Sequence, residues 1–459
     1  MILRNPATQE VLEERPACDA SQVREAWELA HSAQKDWKQK PLSHRIKCLE
    51  MFRHKLYENR ETLARTLSQE MGKPLTQSHN EINAVSNRIE FFVNHVEHEL
   101  EHRMVYRNPD SRIVEKIIPE PLGVIAHISP WNYPYFVGAN IVVPALLTGN
   151  AVLYKPSEYA TRTGLAIAHH LHESGIPESV FICLPGDAET GSALVDLPLQ
   201  GIFFTGSFAT GKVLSQKLAG RFLKVQMELG GKDPAYCCDD VDIALAAQSL
   251  AEGVFYNAGQ SCCAVERLYV HEKIFAPFVE AFIARVKNMV VGDPMDPKTF
   301  LGPLARPQQI PYLEKQIADA LSKNAQCVLG GKAKPPGNYF EPTLLLNVNH
   351  TMSVMREETF GPVIGIQKVS SDQEACALMN DSEYGLTASV YSQSLERATH
   401  ILGSLETGTA YWNCCDRVSP RLPWSGRRHS GIGVTLGSQG IAAFVHARAW
   451  HLSGPSAEK

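Results

Sequence analysis

Residues 123–134 read GVIAHISPWNYP, a short apolar run that ends in a loop rich in Pro and aromatic residues. Three further apolar runs follow at Asn150 to Lys155, Val180 to Leu184 and Gly201 to Thr205, and a stretch with helical spacing, Thr161 to Ser174, lies among them. Apolar strands that alternate with helices predict successive βαβ units on a parallel sheet. An α/β fold is therefore expected, although no GxGxxG fingerprint identifies a dinucleotide site.

The N-terminal side of this sheet is predicted to be helical. Asp19 and Gln22 have the spacing of a capping box, which predicts the start of a helix. Apolar residues then recur at helical spacing from Ser43 to Met71, which predicts an amphipathic helical stretch ended by Gly72.

A second α/β pattern follows Gly231. Its predicted elements are a helix near Asp240 to Phe255, a strand at Arg267 to Val270, a helix from Phe275 to Met289, a loop from Gly330 to Gly337, and strands near Val363 to Gln367 and Thr387 to Tyr391. The tail from Ser453 has the composition of a disordered end.

The bulk composition limits the class of protein. With 459 residues, the chain exceeds the length of about 250 to 300 residues at which single cores split, so two or three domains are expected. A net charge of -5 gives no sign of a nucleic-acid partner, and no apolar run is long enough to cross a membrane. The 11 cysteines, an odd count without zinc-ligand spacing, indicate reduced thiols and no metal. A soluble, cytoplasmic protein is expected.

The stretch at residues 255–267 reads FYNAGQSCCAVER and holds two adjacent thiols. A cysteine that follows a Gly-Gln turn can present a thiolate to a substrate. Free cysteines are also among the most commonly buried residues, so a purely structural role for Cys262 and Cys263 is equally compatible with this stretch.

Two more candidate sites follow strands of the predicted parallel sheet. Ligands gather at the carboxyl ends of such strands, so the amide of Asn132 could stabilise a developing oxyanion, or Asn132 could simply cap a turn. Lys155 and Glu158 could bind the hydroxyls of a ribose, or they could lie on a solvated loop.

The next two candidates also follow strands. Residues 204–212, FTGSFATGK, turn from a strand into a helix, whose free N–H groups, with Ser207 as cap, could hold a pyrophosphate or remain without a ligand. Glu228 precedes a Gly-Gly turn; partial desolvation would raise its pKa and make it a base, whereas most acids beside turns are surface residues.

Six motifs in this order resemble those of the aldehyde dehydrogenase superfamily: SPWNYP, KPSE, FTGSxxxG, ELGGKDP, GQSC and EETFGP. They stand at the family's spacings, and the resemblance extends from residue 5 to residue 433. It implies a short, bacterial-type, non-acylating NAD(P)-dependent enzyme similar to succinate-semialdehyde-like dehydrogenases. Its implied parts are a Rossmann-like dinucleotide-binding domain (residues 1–101 and 122–230), an α/β catalytic domain (231–430) and a small β oligomerisation element (102–121 and 440–455).

The resemblance implies three catalytic residues. Cys262, at the cysteine of the GQxC motif, would attack the aldehyde carbon, and the thiohemiacetal would lose a hydride to the nicotinamide and leave a thioester. Asn132 and the backbone N–H of Cys262 would hold the oxyanion, and Glu228 would activate the water that hydrolyses the thioester.

The resemblance also implies the residues that contact NAD: Ser129, Trp131, Lys155, Glu158, Gly206, Ser207, Gly211, Leu229, Glu358 and Phe360. Lys155 and Glu158 would hold the adenosine ribose, and Glu358 and Phe360 would contact the nicotinamide ribose and ring. Glu158 favours NAD because its carboxylate would repel a 2′-phosphate, but some family members with this acid accept NADP, which leaves NADP open.

Family members assemble as dimers or tetramers, so a homodimer or homotetramer is implied, with a small-molecule aldehyde as substrate. The alternating segment Arg112 to Ile118 and the strand Ala442 to Leu452 resemble the oligomerisation element, whose edges would pair between subunits.

One C-terminal motif departs from the family pattern. Residues 423–435 read PWSGRRHSGIGVT where PFGGxKxSGxGRE is usual, which puts local anchoring contacts and the shape of the substrate funnel in doubt. The departure is not expected to touch Cys262, Glu228 or Asn132.

The same comparison bears on the substrate. Members that act on succinate semialdehyde commonly carry Arg eight residues after the oxyanion Asn and six before the nucleophile, whereas this chain has Asn140 and Tyr256. The absence of these guanidiniums disfavours a semialdehyde of a dicarboxylic acid and favours an uncharged aldehyde. Arg417 or Arg421 could still supply a positive charge from another direction.

Three alternatives remain open. A CoA-acylating dehydrogenase would pass the thioester to a thiol, but such members typically lack the base that Glu228 matches. A cysteine hydrolase would leave the ribose and phosphate motifs without a role. A catalytically silent relative would not need Cys262, Glu228 and Asn132 together.

Overall fold

The computed structural model describes residues 1–108, 110 and 112–454. The N-terminal elements are β1 (Ile2–Arg4), β2 (Val11–Glu14), α1 (Ala20–Gln39), α2 (Leu42–Glu58), α3 (Arg60–Met71) and α4 (Leu75–Glu99). The capping box at Asp19 is confirmed. The stretch from Ser43 to Met71 is divided into two helices, because the amide of Asn59 donates to the carbonyl of Lys55 (2.9 Å) and closes α2. Helix α4 was not predicted.

The middle of the chain alternates strands with helices. Its elements are β3 (Arg103–Asn108), β4 (Ile113–Pro121), β5 (Val124–Ile128), α5 (Pro134–Leu147), β6 (Ala151–Lys155), α6 (Thr161–Glu173), β7 (Phe181–Cys183), α7 (Ala188–Val195), β8 (Gly201–Thr205), α8 (Phe208–Leu218) and β9 (Lys224–Glu228). The four strands and the helix predicted between residues 123 and 205 are confirmed, with differences only at their ends.

The C-terminal half continues the alternation. Its elements are β10 (Asp233–Cys237), α9 (Ile243–Phe255), β11 (Val265–His271), α10 (Phe275–Lys287), α11 (Gln309–Ser322), β12 (Gln326–Leu329), β13 (Ala333–Lys334), β14 (Tyr339–Phe340), β15 (Thr343–Leu346), β16 (Val363–Val369), α12 (Asp372–Asn380), β17 (Tyr384–Gly385), β18 (Thr387–Tyr391), α13 (Leu395–Gly403), β19 (Thr409–Trp412), β20 (Arg427–Arg428), β21 (Gly431–Ile432), α14 (Gly437–Ala442) and β22 (Val445–Ser453).

Two predictions in this half need correction. The segment from Gly330 to Gly337, predicted as a loop, contains β13, which pairs with β14 in a short hairpin. Ser453, where a disordered tail was predicted to begin, ends β22. Residues 455–459 of that tail lie outside the described residues.

Three sheets organise the fold. The first has the order β21-β9-β8-β5-β6-β7, and all its neighbours are parallel except β21. The second has the order β12-β15-β16-β11-β10-β18-β19, and the third is the antiparallel sheet β22-β4-β3. The expected α/β fold is thus confirmed. Within the described residues, no helix combines the length and hydropathy of a membrane-spanning segment.

Side chains from neighbouring helices satisfy both ends of α5, the helix that begins just after Asn132. At its start, Glu81 accepts two backbone N–H groups (2.9 and 3.2 Å). At its end, Trp37 donates to the carbonyl of Leu146 (3.1 Å) and Arg45 to that of Leu147 (2.8 Å). Helix ends otherwise leave these backbone groups unpaired, so the contacts fix where α5 starts and stops.

We expect Arg45→Met to destabilise the protein, because the buried carbonyl of Leu147 would lose its donor. An unsatisfied buried acceptor costs about 1–3 kcal/mol, which corresponds to a fall in Tm of about 1–3 °C for a chain of this length. A thermal scan measures the shift. Lys47→Met, an exposed change on the same helix, serves as the control; an equal fall in both variants would contradict the capping role.

Candidate active site

Most of the predicted site residues lie at one edge of the first sheet, at the carboxyl ends of four adjacent strands. Ser129 and Trp131 follow β5, Lys155 ends β6, Gly206 and Ser207 follow β8, and Glu228 ends β9. Ligands of open parallel sheets bind at this edge.

The loop that carries the two thiols has a constrained backbone. Asn257, Ala258 and Gly259 have positive φ values of 53°, 54° and 72°. A Cβ atom on Gly259 would lie 2.4 Å from the carbonyl oxygen of Gly361, so no side chain fits there. Left-handed backbone in residues other than Gly is strained and persists only where the surroundings hold it. The segment before Cys262 is therefore held in one conformation.

Asn132 is bonded to this loop. Its side-chain amide donates to the backbone carbonyl of Gln260 (3.1 Å). The backbone carbonyl of Asn132 accepts hydrogen bonds from Lys73 Nζ (2.7 Å) and Asn257 Nδ2 (3.3 Å). An amide has two N–H groups, so one remains for another acceptor. The structure thus places Asn132 beside the loop that ends at Cys262.

The two adjacent cysteines have different surroundings. Cys263 is buried, and its thiol donates to Asp416 Oδ1 (3.0 Å). Its hydrogen bond with Cys262 and its burial raise the pKa of Cys263 well above the usual value, so this thiol stays neutral. Cys262 is only partly buried and is the thiol that a substrate could reach.

Glu228 is a buried carboxyl group at the end of β9. It accepts hydrogen bonds from the hydroxyl of Thr435 and from Gln226 Nε2 (3.3 Å). Desolvation raises its pKa to about 7, and these bonds and the charge of Arg88 oppose the rise. Because its pKa lies near neutral pH, Glu228 can take up a proton from water under ordinary conditions.

The expectation that the unusual C-terminal motif does not touch Glu228 is wrong. Thr435 of this motif donates to the Glu228 carboxylate, and Trp424 is bonded through its backbone to Thr435 (2.6 and 2.9 Å). The reason is that β21 pairs with β9 in a register that sets Gly431 opposite Glu228. The motif therefore forms one wall around the proposed base.

Glu358 and Phe360 join the site from a distant part of the chain. Glu358 accepts the backbone N–H of Gly231 (3.1 Å), and desolvation and the neighbouring Glu266 carboxylate raise its pKa. The ring of Phe360 lies edge-on to Trp131, with 5.4 Å between centroids. Two aromatic groups and a carboxyl group thus face the same edge of the sheet.

Two buried ion pairs were missed by the sequence reasoning. Lys73 pairs with Glu81, and Lys232 pairs with Glu266 (2.7 Å). Glu266 also accepts the backbone N–H groups of residues 359 and 360 (2.7 and 2.9 Å) and so anchors the segment with Phe360. Lys232 lies within the ELGGKDP motif, but its partner is 34 residues away, so no local pattern indicates the pair.

The ammonium group of Lys155 lies at the edge where a ribose was predicted. Lys155 is buried, donates to the carbonyl of Pro156 (3.2 Å) and lies 4.0 Å from Glu158. The hydroxyl of Ser129, which follows the adjacent strand β5, is buried and lies next to Tyr154. The Lys155 ammonium as donor and the Glu158 carboxylate as acceptor suit the hydroxyls of a sugar.

The start of α8 has the form of an anion site. Ser207 caps the helix by accepting the N–H of Thr210 (3.3 Å). A Cβ atom on Gly211 would lie 2.6 Å from the side chain of Leu229, so these two residues are packed in direct contact. Free N–H groups at a helix start bind phosphates, and together with Lys155 and Glu158 they fit a dinucleotide.

Comparisons with known proteins agree with this geometry. The family model described as the aldehyde dehydrogenase family matches residues 1–450. The chain is 36% identical over 453 residues to aminoaldehyde dehydrogenase 2, peroxisomal, of Malus domestica. The aligned region covers 96% of this chain and 90% of that protein. It is 33% identical over 453 residues to 3-sulfolactaldehyde dehydrogenase of Pseudomonas putida, which covers 98% and 93%.

A solved structure also matches the whole fold. Betaine aldehyde dehydrogenase of Staphylococcus aureus, in complex with NAD+, superposes with a TM-score of 0.95 at 30% identity, over 99% of this chain and 92% of that chain. The chain therefore belongs to the aldehyde dehydrogenase family of NAD(P)-dependent oxidoreductases.

Proposed function

We propose that this protein oxidises an aldehyde to the carboxylic acid with NAD, through a thioester on Cys262. The observation that carries the proposal is the hydrogen bond of 3.1 Å from the Asn132 amide to the carbonyl of Gln260. This bond holds the proposed oxyanion donor against Gln260, which stands two residues before the partly accessible thiol of Cys262. Glu228, with a pKa of about 7, supplies the base.

The chemistry proceeds in two stages. The Cys262 thiolate adds to the aldehyde carbon, and the N–H groups of Asn132 and Cys262 stabilise the oxyanion that develops. Bound NAD+ supplies the hydride acceptor that turns the thiohemiacetal into a thioester. Glu228 then takes a proton from water, the water oxygen attacks the thioester carbon, and the carbon–sulfur bond breaks to release the acid and regenerate the thiolate.

The cofactor would lie along the edge of the first sheet. Lys155 and Glu158 would hold the adenosine ribose and the first turn of α8 the pyrophosphate, while Glu358 and Phe360 would contact the nicotinamide half. The NAD+ in the Staphylococcus aureus structure supports this assignment. The carboxylate of Glu158 favours NAD over NADP by charge repulsion.

The three sheets support the division into three parts suggested by the sequence. In this proposal, the first sheet belongs to the dinucleotide-binding domain, the second to the catalytic domain, and β22-β4-β3 to the oligomerisation element. Strand β3 exposes Met104, Val105 and Tyr106 at 51%, 59% and 46%. Exposed apolar side chains on an edge strand are typical of an interface between subunits.

A cytoplasmic location is part of the proposal. All 11 cysteines are free thiols, as in proteins of reducing compartments. The relative from Malus domestica is named as peroxisomal, so the location of this chain is not taken from its relatives.

We expect Cys262→Ala to abolish NADH formation with any aldehyde, because no other described thiol can form the thioester. Binding of NAD, measured by titration calorimetry, should persist. Cys263→Ser, which keeps a donor to Asp416, is the matched control and should remain active. Turnover in the Cys262→Ala variant would move the nucleophile elsewhere, with Cys263 as the first suspect.

We expect Glu228→Gln to stop the cycle after one turnover, since the thioester forms but is not hydrolysed. Stopped-flow absorbance should show a burst of NADH followed by a steady rate lower by about 100-fold to 10,000-fold. In the wild type, hydrolysis should slow as the pH falls below about 7, because the base becomes protonated. The control is Glu252→Gln, which changes an exposed residue of α9.

A normal steady rate in Glu228→Gln would refute hydrolysis by Glu228. So would a thioester that the wild type releases only when CoA is added.

We expect Val105→Asp to reduce the size of the oligomer, because a charge would enter the proposed interface on β3. Light scattering coupled to gel filtration measures the mass. Leu29→Asp, at an equally exposed apolar position on α1 (52%), is the control. The proposed interface fails if both variants keep the mass of the wild type.

A further inference from the structure

Arg88 of α4 is a buried guanidinium whose donors are only partly used. Its exposure is 1%. It lies over the ring of Phe136, 3.4 Å from the centroid, and one of its nitrogens donates to Asn140 Oδ1. Two other nitrogens, Nε and Nη2, are buried and have no partner among the described residues.

The protein around Arg88 supplies no counter-ion in contact. Among the described residues, no carboxylate lies within 4.0 Å of the guanidinium. The groups within electrostatic reach are Glu228, Cys263 and Glu81. Glu81 is already paired with Lys73, and Glu228 is bonded to Thr435. A buried charge with unused donors is costly, so the two free nitrogens of Arg88 are suited to an anionic partner from outside this set.

These neighbours also place Arg88 in the active site. Glu228 is the proposed base, Cys263 adjoins the proposed nucleophile, and both interact electrostatically with the guanidinium. Phe136 and Asn140 belong to α5, which begins directly after the oxyanion residue Asn132. Although burial lowers the pKa of Arg88 to about 9, the group is still charged at neutral pH.

The position of Arg88 resolves the absence of arginines noted in the sequence. Asn140, where members acting on succinate semialdehyde carry Arg, is hydrogen-bonded to Arg88. Tyr256 stands at the second such position, and its hydroxyl accepts a hydrogen bond from Asn80, which lies on α4 together with Arg88 (3.2 Å). Helix α4 thus brings polar groups to both positions and a guanidinium to one of them.

We infer that Arg88 binds an anionic group at the far end of the substrate, so that the substrate class is an aldehyde carrying a carboxylate or sulfonate. The inference rests on the proposed function. It replaces the uncharged aldehyde expected from the sequence. The free Nε and Nη2 groups would each donate a hydrogen bond to an oxygen of the anion, a paired geometry that guanidinium favours. A cationic aminoaldehyde would be repelled by the same group. Relatives named for an aminoaldehyde and for 3-sulfolactaldehyde are similarly identical to the chain, so identity does not decide between them.

The test compares three aldehydes of the same chain length: 4-oxobutanoate, butanal and 4-aminobutanal. With NAD, we expect the wild type to show the highest kcat/KM for 4-oxobutanoate and the lowest for 4-aminobutanal. In Arg88→Met, the ratio of kcat/KM for 4-oxobutanoate to that for butanal should fall by about 100-fold or more, mainly through KM. Rates are measured at about pH 8, between the pKa of Glu228 and that of Arg88, because loss of the guanidinium would also raise the pKa of Glu228.

Further variants separate binding from folding. Arg88→Lys keeps the charge but not the paired donors, so an intermediate fall in the ratio is expected. Succinate, which cannot react, should inhibit the wild type most strongly, Arg88→Lys less and Arg88→Met least. Arg24→Met removes an exposed arginine on α1 and is the control, expected to keep the wild-type ratio.

The outcomes are distinguishable. A wild type that prefers butanal or 4-aminobutanal overturns the inference and leaves the proposed function intact, as does an Arg88→Met variant that loses activity equally with all three aldehydes. An unchanged ratio in Arg88→Lys, or loss of the preference in Arg417→Met alone, also overturns it. A wild type that oxidises no aldehyde refutes the proposed function itself.

Discussion

The buried ion pair between Lys73 and Glu81 is the interaction on which the rest of the site depends. Both side chains are almost fully excluded from solvent. Lys73 also donates to the carbonyl of Asn132, and Glu81 accepts the first N–H groups of α5. Loss of either charge would leave the other unpaired in the interior, a change that typically costs about 3–5 kcal/mol. The pair therefore ties the packing of α3 and α4 to the loop that carries the proposed oxyanion donor.

The pair between Lys232 and Glu266 holds the opposite side of the site by the same physical means. In both pairs, a lysine neutralises a buried carboxylate that accepts backbone N–H groups, at the start of α5 for Glu81 and in the segment before Gly361 for Glu266. Both segments are thus held by charge-assisted hydrogen bonds, which are stronger than neutral ones. Among the described residues, Arg45 is also a buried guanidinium without a carboxylate partner, but backbone carbonyls accept its hydrogen bonds, whereas two nitrogens of Arg88 have no partner among these residues. That difference, rather than its burial alone, distinguishes a binding group from a structural one.

Periodicity predicted the parts of the fold where apolar residues follow a simple pattern. The strands between residues 123 and 205 are continuous apolar runs bounded by polar turns, and they lie where they were predicted. Helix α4, which was not predicted, buries an apolar stripe of Ile82, Val85, Ile89, Phe92 and Val96, and it also buries Gln77, Ser78, Glu81 and Arg88. Polar side chains are usually exposed, so the burial of these four polar residues cannot be predicted from the pattern of the helix. The helix that the pattern missed is the one that contributes Arg88.

The sequence alone indicated an α/β fold, a thiol, an amide and a carboxyl group after its strands, and the family that these motifs resemble. Local order along the chain is sufficient for this, because strand ends and turns are encoded by neighbouring residues. The tertiary structure distinguished Cys262 from Cys263 by their surroundings. It also brought Thr435 to Glu228 across 207 residues and Arg88 to Asn140 across 52. Burial and long-range hydrogen bonding depend on which elements pack together, and no local pattern of residues records that.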